Sequence, residues 1–350
     1  MSSKPIDSES RSAFVCAAAQ TDRHAKFAAS APAGRAPGAT LSNQFVPRVL
    51  GEAGRFSIES ELGRGRVATV YRAHDRDRDR TVALKLLDRR ALRKVGLGHV
   101  QREFAIASAL RHRNLARHYE LLSDAGEWFV TMELVEGRDF VEHVRCDLDQ
   151  PGRRDGRASC TAFGQPVRLR GASEFKASTE HGLIRLRTAL PQLVAAVHAL
   201  HDARLVHCDL QPANVRVTYE GRVVVIDYGL AATASSAPTA GYDKPDGTLT
   251  YMAPEQWERS AAGPPSDWYA MGVILFEALT GGPPFSGDSE AMFMTKRTVS
   301  APRPSQVVTA IPDDLDDLVA ELLQIDPAQR PRGAELVRRF PSPNGPSRDE

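Results

Sequence analysis

Residues 207–214 read HCDLQPAN, and residues 227–229 read DYG. This stretch places a carboxylate at Asp209, an amide five residues later at Asn214 and a second carboxylate at Asp227. Carboxylate and amide oxygens are ligands for a magnesium ion, and a further carboxylate can orient a hydroxyl that attacks a phosphate. A single Asp or Asn in a loop is more often a cap or turn residue. Three such residues in this order instead predict a site for a magnesium-bound triphosphate beside a hydroxyl.

Two further features lie upstream of this stretch. Residues 63–68 read GRGRVA between two predicted strands, where glycines let backbone N–H groups approach a phosphate closely. Lys85 ends the apolar run 82–84, and Glu103 lies on the next predicted helix. A lysine on a buried strand needs a partner of opposite charge, so Glu103 is the candidate for an ion pair with Lys85. An ordinary turn and two unrelated surface charges are the alternative interpretations.

The acid and amide stretch, the glycine segment and the lysine together resemble the eukaryotic-like, Hanks-type serine/threonine protein kinases of bacteria. Three later segments add to this resemblance, at 247–255, 266–272 and 326–331. In the last of them, Arg330 resembles the arginine that pairs with Glu255 inside the helical lobe. The resemblance covers about residues 55–340, and its motifs are jointly specific.

Apolar periodicity and the resemblance both predict an α+β fold, the two-lobed protein-kinase-like fold. Residues 55–136 are predicted to form a small, β-rich N-terminal lobe, and residues 137–340 a larger, α-helical C-terminal lobe. Alternating apolar residues indicate strands, and apolar residues at three-to-four spacing indicate helices. The predicted strands include 56–62, 69–73, 81–86 and 128–134, and the predicted helices are 100–110, 184–201, 266–280 and 315–323.

Three segments lack a regular apolar period. Residues 1–54 are rich in Ala, Ser, Pro and Gly and are predicted to be a disordered leader, since so little apolar surface cannot offset the entropy of ordering. Residues 341–350 are predicted to be a flexible tail. An insertion at about 146–182 is interpreted as a solvated loop, with a docking site for an acidic partner as the alternative.

Composition excludes several classes of protein. There are 45 Lys and Arg against 44 Asp and Glu, a formal net charge of +1, which removes the electrostatic argument for a partner that is a nucleic acid or a membrane surface. The four cysteines form no CxxC pair and no metal-ligand spacing, so reduced thiols and a cytoplasmic location are expected. The nearly apolar runs are too short to span a membrane.

The resemblance implies a role for each residue of the site. ATP is the implied cofactor, with Mg²⁺ or Mn²⁺ held by Asn214 and Asp227, and Asp209 is the implied base for the substrate hydroxyl. Lys85, oriented by Glu103, contacts the α- and β-phosphates. The implied catalytic residues are Asp209, Lys85, Glu103, Gln211 and Thr248. The implied nucleotide-binding residues are Leu62, Gly63, Gly65, Val70, Ala83, Lys85, Met132, Glu133, Val135 and Arg216.

Four positions depart from the pattern of the resembled family. Gln211 stands where a lysine neutralises the transferring phosphate, and the loss of that charge costs on the order of 2–4 kcal/mol of transition-state stabilisation, or roughly 30- to 1000-fold in rate. Cys208 replaces an arginine that grips a phosphorylated activation segment, so it bears on regulation. Arg216 replaces an apolar residue beneath adenine, where it either stacks on the purine or turns outward. Tyr228 replaces a phenylalanine and needs a partner for its hydroxyl.

These observations predict a serine/threonine protein kinase with reduced or unusual catalysis, because the metal ligands, the base and the lysine–glutamate pair are all retained. The alternative is a pseudokinase that serves a protein partner as a scaffold or regulatory module. Phosphorylation of a small molecule is disfavoured, because residues 247–255 resemble the platform on which this family binds protein substrates.

Overall fold

The structure, a computed structural model, has a strand-rich region followed by a helix-rich region, which confirms the predicted α+β, two-lobed fold. It describes residues 49–65, 67–146, 176–228, 249–257, 262–287 and 289–342. Within these ranges the first lobe is built on an antiparallel sheet, and the second consists of helices around a short three-stranded sheet.

The antiparallel sheet of the first lobe separates two apolar clusters. Its strands are β1 Val49–Leu50, β2 Phe56–Arg64, β3 Ala68–Asp75, β4 Arg80–Leu87, β5 His118–Asp124 and β6 Glu127–Met132. In the described residues their order is β1-β2-β3-β4-β6-β5. Because successive side chains of a strand point to opposite faces, Val82 and Leu84 join one cluster while Ala83 joins the other with Val70.

Two consecutive helices cover the second of these clusters. Helix α1 spans Arg89–Val95 and begins at Asp88, whose side chain accepts hydrogen bonds from two N–H groups of the first turn. Helix α2 spans Leu97–Ala109. Val100 of α2 is buried in the same cluster as Val70 and Ala83, so the packing places Glu103 of this helix near the sheet.

The second lobe is centred on two long helices, α4 and α6. Its helices are α3 Phe140–Arg145, α4 Glu180–Asp202, α5 Pro254–Trp257, α6 Pro264–Thr280, α7 Ser289–Thr298, α8 Pro304–Val307, α9 Asp313–Leu322 and α10 Gly333–Arg339. Helix α6 is buried on nearly all sides, as expected for a helix that is apolar all round. Gly272 allows α9 to approach closely, since a Cβ atom there would lie 2.9 Å from Leu322 Cβ.

A short β-sheet positions the acid and amide residues. Its strands are β7 Arg138–Asp139, β8 Val215–Val217 and β9 Val223–Val225. Val215 pairs with Val225 in the β8–β9 hairpin, so the residue before β8 and the residues after β9 lie at the same end. Ile226 N accordingly donates to Asn214 O at 3.0 Å.

The segment after α2 runs along β9 and fixes the first lobe to the second. Ala116 N donates to Val225 O at 2.9 Å, and Val225 N donates to Asn114 O at 2.9 Å. The Asn114 side chain also donates to Gln192 Oε1 of α4 at 3.0 Å and to Val223 O at 2.6 Å. These buried hydrogen bonds satisfy backbone groups that would otherwise have no partner at the junction.

Two element boundaries differ from those predicted. Val49 pairs with Ser57, so β1 lies inside the stretch assigned to the leader, where two residues were too few to show a period. Helix α4 begins at Glu180, inside the predicted insertion, because the Thr179 side chain caps its first turn. Residues 1–48, 147–175 and 343–350 lie outside the described ranges, so the leader, most of the insertion and the tail stay predictions. No helix in the described ranges is long and apolar enough to cross a membrane.

Candidate active site

A buried carboxylate from helix α6 fixes the loop that carries Asp209. Asp267 Oδ2 accepts from His207 N at 2.8 Å, and Asp267 Oδ1 accepts from Cys208 N at 3.0 Å. Asp267 Oδ2 also lies 2.8 Å from His201 Nε2. Cys208 has a φ of 62°, a left-handed conformation that is costly for a residue with a side chain. The two hydrogen bonds to Asp267 hold the loop in this conformation.

Two side-chain amides meet at the carboxylate of Asp209. Gln211 Nε2 donates to Asp209 Oδ2 at 3.2 Å, and Asn214 Nδ2 lies 3.4 Å from the same oxygen. Asn214 Nδ2 also donates to Asp209 O at 2.8 Å. A turn of 3-10 helix over 212–214 brings the two amides together. The proposed base therefore has one of its oxygens oriented by neutral donors.

Lys85 of the first lobe contacts Asp227 of the second. Lys85 Nζ forms an ion pair with Asp227 Oδ1, and Asp227, two residues after the end of β9, has a φ of 63°. Burial opposes ionisation of this carboxylate, but the attraction of Lys85 outweighs it, so the pKa of Asp227 lies below its ordinary value. Through Ile226, which donates to Asn214 O, the pair joins the group around Asp209.

The predicted ion pair between Lys85 and Glu103 is not formed in the structure. Lys85 contacts Asp227 instead, and Glu103 Oε1 lies 3.3 Å from Nε2 of His99, one turn earlier in α2. Glu103 Oε2 is buried without a hydrogen-bond partner in the described residues. Burial raises the pKa of Glu103 to about 7. The prediction of this pair is therefore corrected. In the structure Lys85 contacts Asp227, and Glu103 contacts His99.

Tyr228 fills the space next to this ion pair. Its hydroxyl donates to Ala116 O at 2.6 Å, which supplies the partner that the sequence required. Its ring lies 4.7 Å from the ring of His118 in an edge-on arrangement. Burial, with the nearby charge of Lys85, lowers the pKa of His118 to about 4. The imidazole is therefore neutral at physiological pH, and this part of the site carries no additional positive charge.

The apolar residues predicted to bind adenine share one cluster. The residues of this set are Leu62, Val70, Ala83 and Met132. The hinge 133–135 follows β6, and Glu133 N donates to Arg117 O at 2.8 Å. The Glu133 carbonyl and the Val135 N–H have no backbone partner among the described residues. An acceptor and a donor beside apolar side chains can hydrogen-bond the edge of a planar heterocycle.

The glycine segment and Lys85 lie on three neighbouring strands. Gly63 of β2 pairs with Val70 of β3, and Val70 pairs with Lys85 of β4. Gly65 N donates to Ala68 O at 2.9 Å, which closes the hairpin next to these residues. The register therefore brings the predicted phosphate-binding turn to the same part of the sheet as the lysine.

Arg216 is buried, so its guanidinium is not turned out to solvent. It is 6% exposed, donates to the Gly137 carbonyl at the end of the hinge, and lies on β8 opposite Asp139. Burial, reinforced by Glu142, raises the pKa of Asp139 to about 7, although Arg216 acts in the opposite direction. The structure gives Arg216 the Gly137 carbonyl as a partner in place of the open gap that one alternative required.

A cavity of about 860 Å³ also touches the hinge but lies apart from the acid and amide residues. It is bounded by residues 133–136, helix α4 and the β8–β9 turn. Lys85, Asp209 and Asp227 do not line it. This cavity is therefore not the site of phosphate chemistry, and the cluster around Lys85 and Asp209 is the better candidate.

Asn214 and Asp227 form a donor set that suits magnesium bound together with a nucleotide. Because the Asn214 Nδ2 is turned toward Asp209, its Oδ1 is the atom available for a cation. The described residues contain no group of three or more His, Cys, Asp or Glu that could hold a metal ion by themselves. Mg²⁺ in phosphate-transfer sites is usually held by one or two carboxylates plus substrate phosphates. The residues present fit that mode of binding.

The segment that begins at residue 249 is fixed by the ion pair that the sequence predicted. Arg330 forms two hydrogen bonds with Glu255, at 2.6 Å and 2.9 Å, which confirms the predicted pair. Ser266 Oγ also donates to Glu255 Oε1 at 2.8 Å. Thr248 and Gly229, which complete two of the predicted motifs, lie outside the described residues, so the role of Thr248 stays a prediction.

Sequence reasoning did not identify Asp267 or Asp139 as part of the site. Asp267 lies in the predicted helix 266–280, where the available signal is a single acidic residue at the start of an otherwise apolar run. A buried acidic residue requires donors, and here these are the N–H groups beside Asp209. Asp139 caps α3 by accepting from Glu142 N at 2.8 Å, and its place opposite Arg216 follows only from the pairing of β7 with β8.

Comparison with known proteins agrees with this geometry. Residues 56–339 match the family model for the protein kinase domain, and the chain belongs to that family. It is 29% identical over 290 residues to serine/threonine-protein kinase PrkC of Bacillus subtilis. It is 31% identical over 279 residues to serine/threonine-protein kinase PknL of Mycobacterium tuberculosis, and 28% identical over 278 residues to PknE of the same species.

The matched regions are a large part of this chain but a smaller part of each relative. They cover 81% of this chain and 39% of PrkC, and 79% of this chain and 62% of PknL. The match to PknE covers 79% of this chain and 44% of that protein. The similarity therefore concerns the kinase domain that the relatives share with this chain.

Proposed function

We propose that this chain transfers the γ-phosphate of ATP to serine or threonine hydroxyls of protein substrates, with slowed chemistry. One observation carries the proposal: Lys85, Asp227, Asn214 and Asp209 form a connected cluster through an ion pair, a backbone hydrogen bond and side-chain amides. Phosphoryl transfer depends mainly on positioned charges of this kind. The relatives PrkC, PknL and PknE are named serine/threonine-protein kinases, which supports the class of acceptor.

Each residue of the cluster has a distinct task in this proposal. Asp209 orients the acceptor hydroxyl and receives its proton, and the amide of Asn214 keeps the carboxylate in place. Asn214 and Asp227 hold Mg²⁺ or Mn²⁺, which when bound neutralises charge on the triphosphate. Lys85 binds the α- and β-phosphates, and in the nucleotide-bound state, when Mg²⁺ engages Asp227, the half-buried Glu103, whose Oε2 has no partner in the described residues, takes the place of Asp227 beside Lys85.

Gln211 accounts for the slowed chemistry. Its amide donates to Asp209 Oδ2, so it helps to orient the base but brings no positive charge to the transferring phosphate. A neutral donor stabilises developing negative charge less than an ammonium group does in a site of low dielectric constant. We expect Gln211→Lys to raise the rate of transfer by at least about 30-fold.

We propose a protein substrate or protein partner and a cytoplasmic location. The cytoplasm supplies ATP and keeps thiols reduced. Within the described residues neither Cys146 nor Cys208 takes part in a disulfide bond, as the proposed location requires.

Transfer of radiolabelled γ-phosphate tests the proposal. The full chain is incubated with labelled ATP and Mg²⁺ or Mn²⁺, with itself and with myelin basic protein as acceptors. We expect label on both acceptors and a loss of about 100-fold or more in Asp209→Asn and Asp227→Ala. Asp313→Asn is the matched control, because Asp313 is exposed and lies far from the cluster in sequence.

Three outcomes contradict the proposal. Label that persists in Asp209→Asn would show that another group activates the hydroxyl. No label from wild type, with ATP still raising the melting temperature, would identify a nucleotide-binding scaffold instead of an enzyme. A chain that neither transfers label nor binds ATP would be an interaction domain only.

A further inference from the structure

The last turn of helix α7 carries a lysine whose charged end is buried without a carboxylate. Lys296 is 1% exposed, and in the described part of the chain no acidic side chain offsets the effect of burial on its pKa. Its Nζ lies 5.6 Å from the centre of the Tyr269 ring on α6. An apolar side chain would fill this position at lower cost than a buried ammonium group. The cost of burying this ammonium group must therefore be offset by the hydrogen bonds that it donates.

All three hydrogens of this ammonium group have backbone acceptors in one short segment. Lys296 Nζ donates to Leu249 O at 3.0 Å, to Thr250 O at 2.6 Å and to Met252 O at 2.9 Å. The turn is also closed by Met252 N, which donates to Leu249 O at 3.3 Å. Lys296 thus binds three carbonyls of residues 249–252 and fixes the path of this backbone.

The same segment is connected to the loop that carries Asp209. Gln256 accepts from Ala253 N at 2.9 Å and donates to Cys208 O at 3.2 Å, and Cys208 directly precedes Asp209. On the other side, the Tyr251 hydroxyl donates to Glu277 Oε2 at 2.6 Å. A displacement of residues 249–252 would therefore be transmitted through Gln256 to Cys208, and so would alter the surroundings of Asp209, the proposed base.

We propose that Lys296 is a positioning residue for the protein acceptor, because it holds residues 249–252 in a fixed place beside Asp209. The inference rests on the proposed kinase function and adds to it a residue that controls acceptor binding and leaves ATP binding unaffected. Lys296 acts through the backbone of the segment and lies in a different lobe from Lys85 and the adenine-binding cluster. Its loss should consequently change the KM for the acceptor much more than the KM for ATP.

Attachment of helix α7 does not by itself account for Lys296. Trp257 at the end of α5 stacks on Phe293 of α7, with ring centres 4.9 Å apart and an angle of 27° between the rings. Arg297 lies over the same Phe293 ring at 5.0 Å. The stack of Trp257 on Phe293 joins α5 to α7 independently of the ammonium group, so we expect the effect of its removal to centre on residues 249–252.

The number of donors on Lys296 depends on its protonation. An ammonium group has three N–H donors for the three carbonyls, whereas a neutral amine has two. Burial lowers the pKa of Lys296 to about 7. The other titratable and charged groups described on the elements packed here are Tyr269, Tyr251, Glu255, Asp267, Glu277, Arg330 and Arg297. Burial raises the pKa of both tyrosines, and the two glutamates are hydrogen-bonded to Arg330 and Tyr251. Lys296 is thus a group with a pKa near neutrality that binds this backbone directly, whereas Asp139, whose pKa is also raised to about 7, acts on Tyr251 through its charge.

Steady-state kinetics with two variants and a matched control test the proposal. The full chain phosphorylates myelin basic protein while ATP and the acceptor are varied separately. We expect Lys296→Met to raise the KM for the acceptor about tenfold and to change the KM for ATP less than about twofold. Lys94→Met makes the same chemical change at an exposed position and should change neither constant.

The pH profile separates the charge of Lys296 from its shape. In wild type we expect the KM for the acceptor to rise between about pH 6 and about pH 8.5, as the third donor is lost. Lys296→Arg stays charged throughout this range and should give a flat profile. A flat wild-type profile would overturn the proposal, and it would do so even if Lys296→Met failed to fold.

Hydrogen exchange supplies a measurement that does not depend on catalysis. Compared at one pH, the amides of residues 249–253 should exchange faster in Lys296→Met than in wild type, while those of α4 are unchanged. Unchanged exchange, an unchanged acceptor KM or an equal rise in both KM values would refute the role of Lys296. Absence of transfer in wild type would instead refute the kinase proposal, and exchange would still show whether Lys296 holds the segment.

Discussion

Lys85 forms an ion pair with Asp227, a residue 142 positions later in the chain. The pair connects strand β4 of the first lobe to the end of β9 in the second. The pair engages Lys85, the proposed phosphate-binding residue, and Asp227, a proposed metal ligand. Since magnesium and triphosphate would compete for the two partners, nucleotide binding should separate them and leave Lys85 available to Glu103.

Replacement of Glu103 should lower activity and raise stability. In Glu103→Gln we expect phosphate transfer to fall about 10- to 100-fold, because Lys85 loses a charged partner in the nucleotide-bound state. In the structure described here the same carboxylate is buried with one oxygen unpaired by the described residues, so its removal should raise the melting temperature at pH 8. Kinetic assays and thermal unfolding of the same preparation check both parts.

The gain in stability should depend on pH. The pKa of Glu103 is raised to about 7 from an ordinary value of 4.5, so the folded state binds more protons than the unfolded state between these values. Wild-type stability therefore falls as pH rises through this window, and Glu103→Gln should lack that fall. Glu335→Gln, at an exposed position, is the control. A variant that is equally destabilised at every pH would contradict the prediction.

Arg216 and Asp139 should be coupled in stability. Arg216→Met removes the donor to the Gly137 carbonyl and the cation that opposes the raised pKa of Asp139. We expect a loss of about 1–3 kcal/mol in the free energy of unfolding. Asp139→Asn still caps α3 and should recover part of this loss in the double variant, as measured by urea unfolding. Strictly additive losses would show that the two side chains are independent.

The hydroxyl of Tyr228 should contribute to stability more than to catalysis. Tyr228→Phe removes a buried hydrogen bond of 2.6 Å to Ala116 O and should cost about 1–2 kcal/mol of unfolding free energy. The rate of transfer should change less than about threefold, since the aromatic ring remains. Tyr219→Phe is the control, because Tyr219 is 68% exposed. A large loss of rate with full stability would place the hydroxyl in the chemistry.

Because of Lys296, the free energy of unfolding of the wild type should depend on pH in the alkaline range. The pKa of Lys296 is lowered by burial to about 7 from an ordinary value of 10.5, so between these values the unfolded state binds more protons. The free energy of unfolding of wild type, relative to Lys296→Met, should therefore rise as pH increases through this window. Urea unfolding at several pH values measures it. A constant difference would mean that Lys296 is ionised alike in the folded and unfolded states.

Much of the site could be predicted because its residues are close in sequence or joined by a short hairpin. Asn214 and Asp227 flank β8 and β9, so any antiparallel pairing of these strands brings them together. Likewise, Gly63, Val70 and Lys85 meet because two hairpins set the register of β2, β3 and β4. The Glu255–Arg330 pair spans 75 residues and was predicted only because the family pattern supplied the partner.

The family, the alternation of strands and helices, and the local clusters of proposed site residues could be predicted without coordinates, since apolar period and motif spacing are local properties. Which charges meet follows from the fold. Lys85 contacts Asp227 and not Glu103, Arg216 turns to Gly137, and Lys296 enters the interior to bind three carbonyls. Such choices depend on how elements far apart in sequence pack, because the burial of a charge and the nearest opposite charge or carbonyl are set only when that packing is complete.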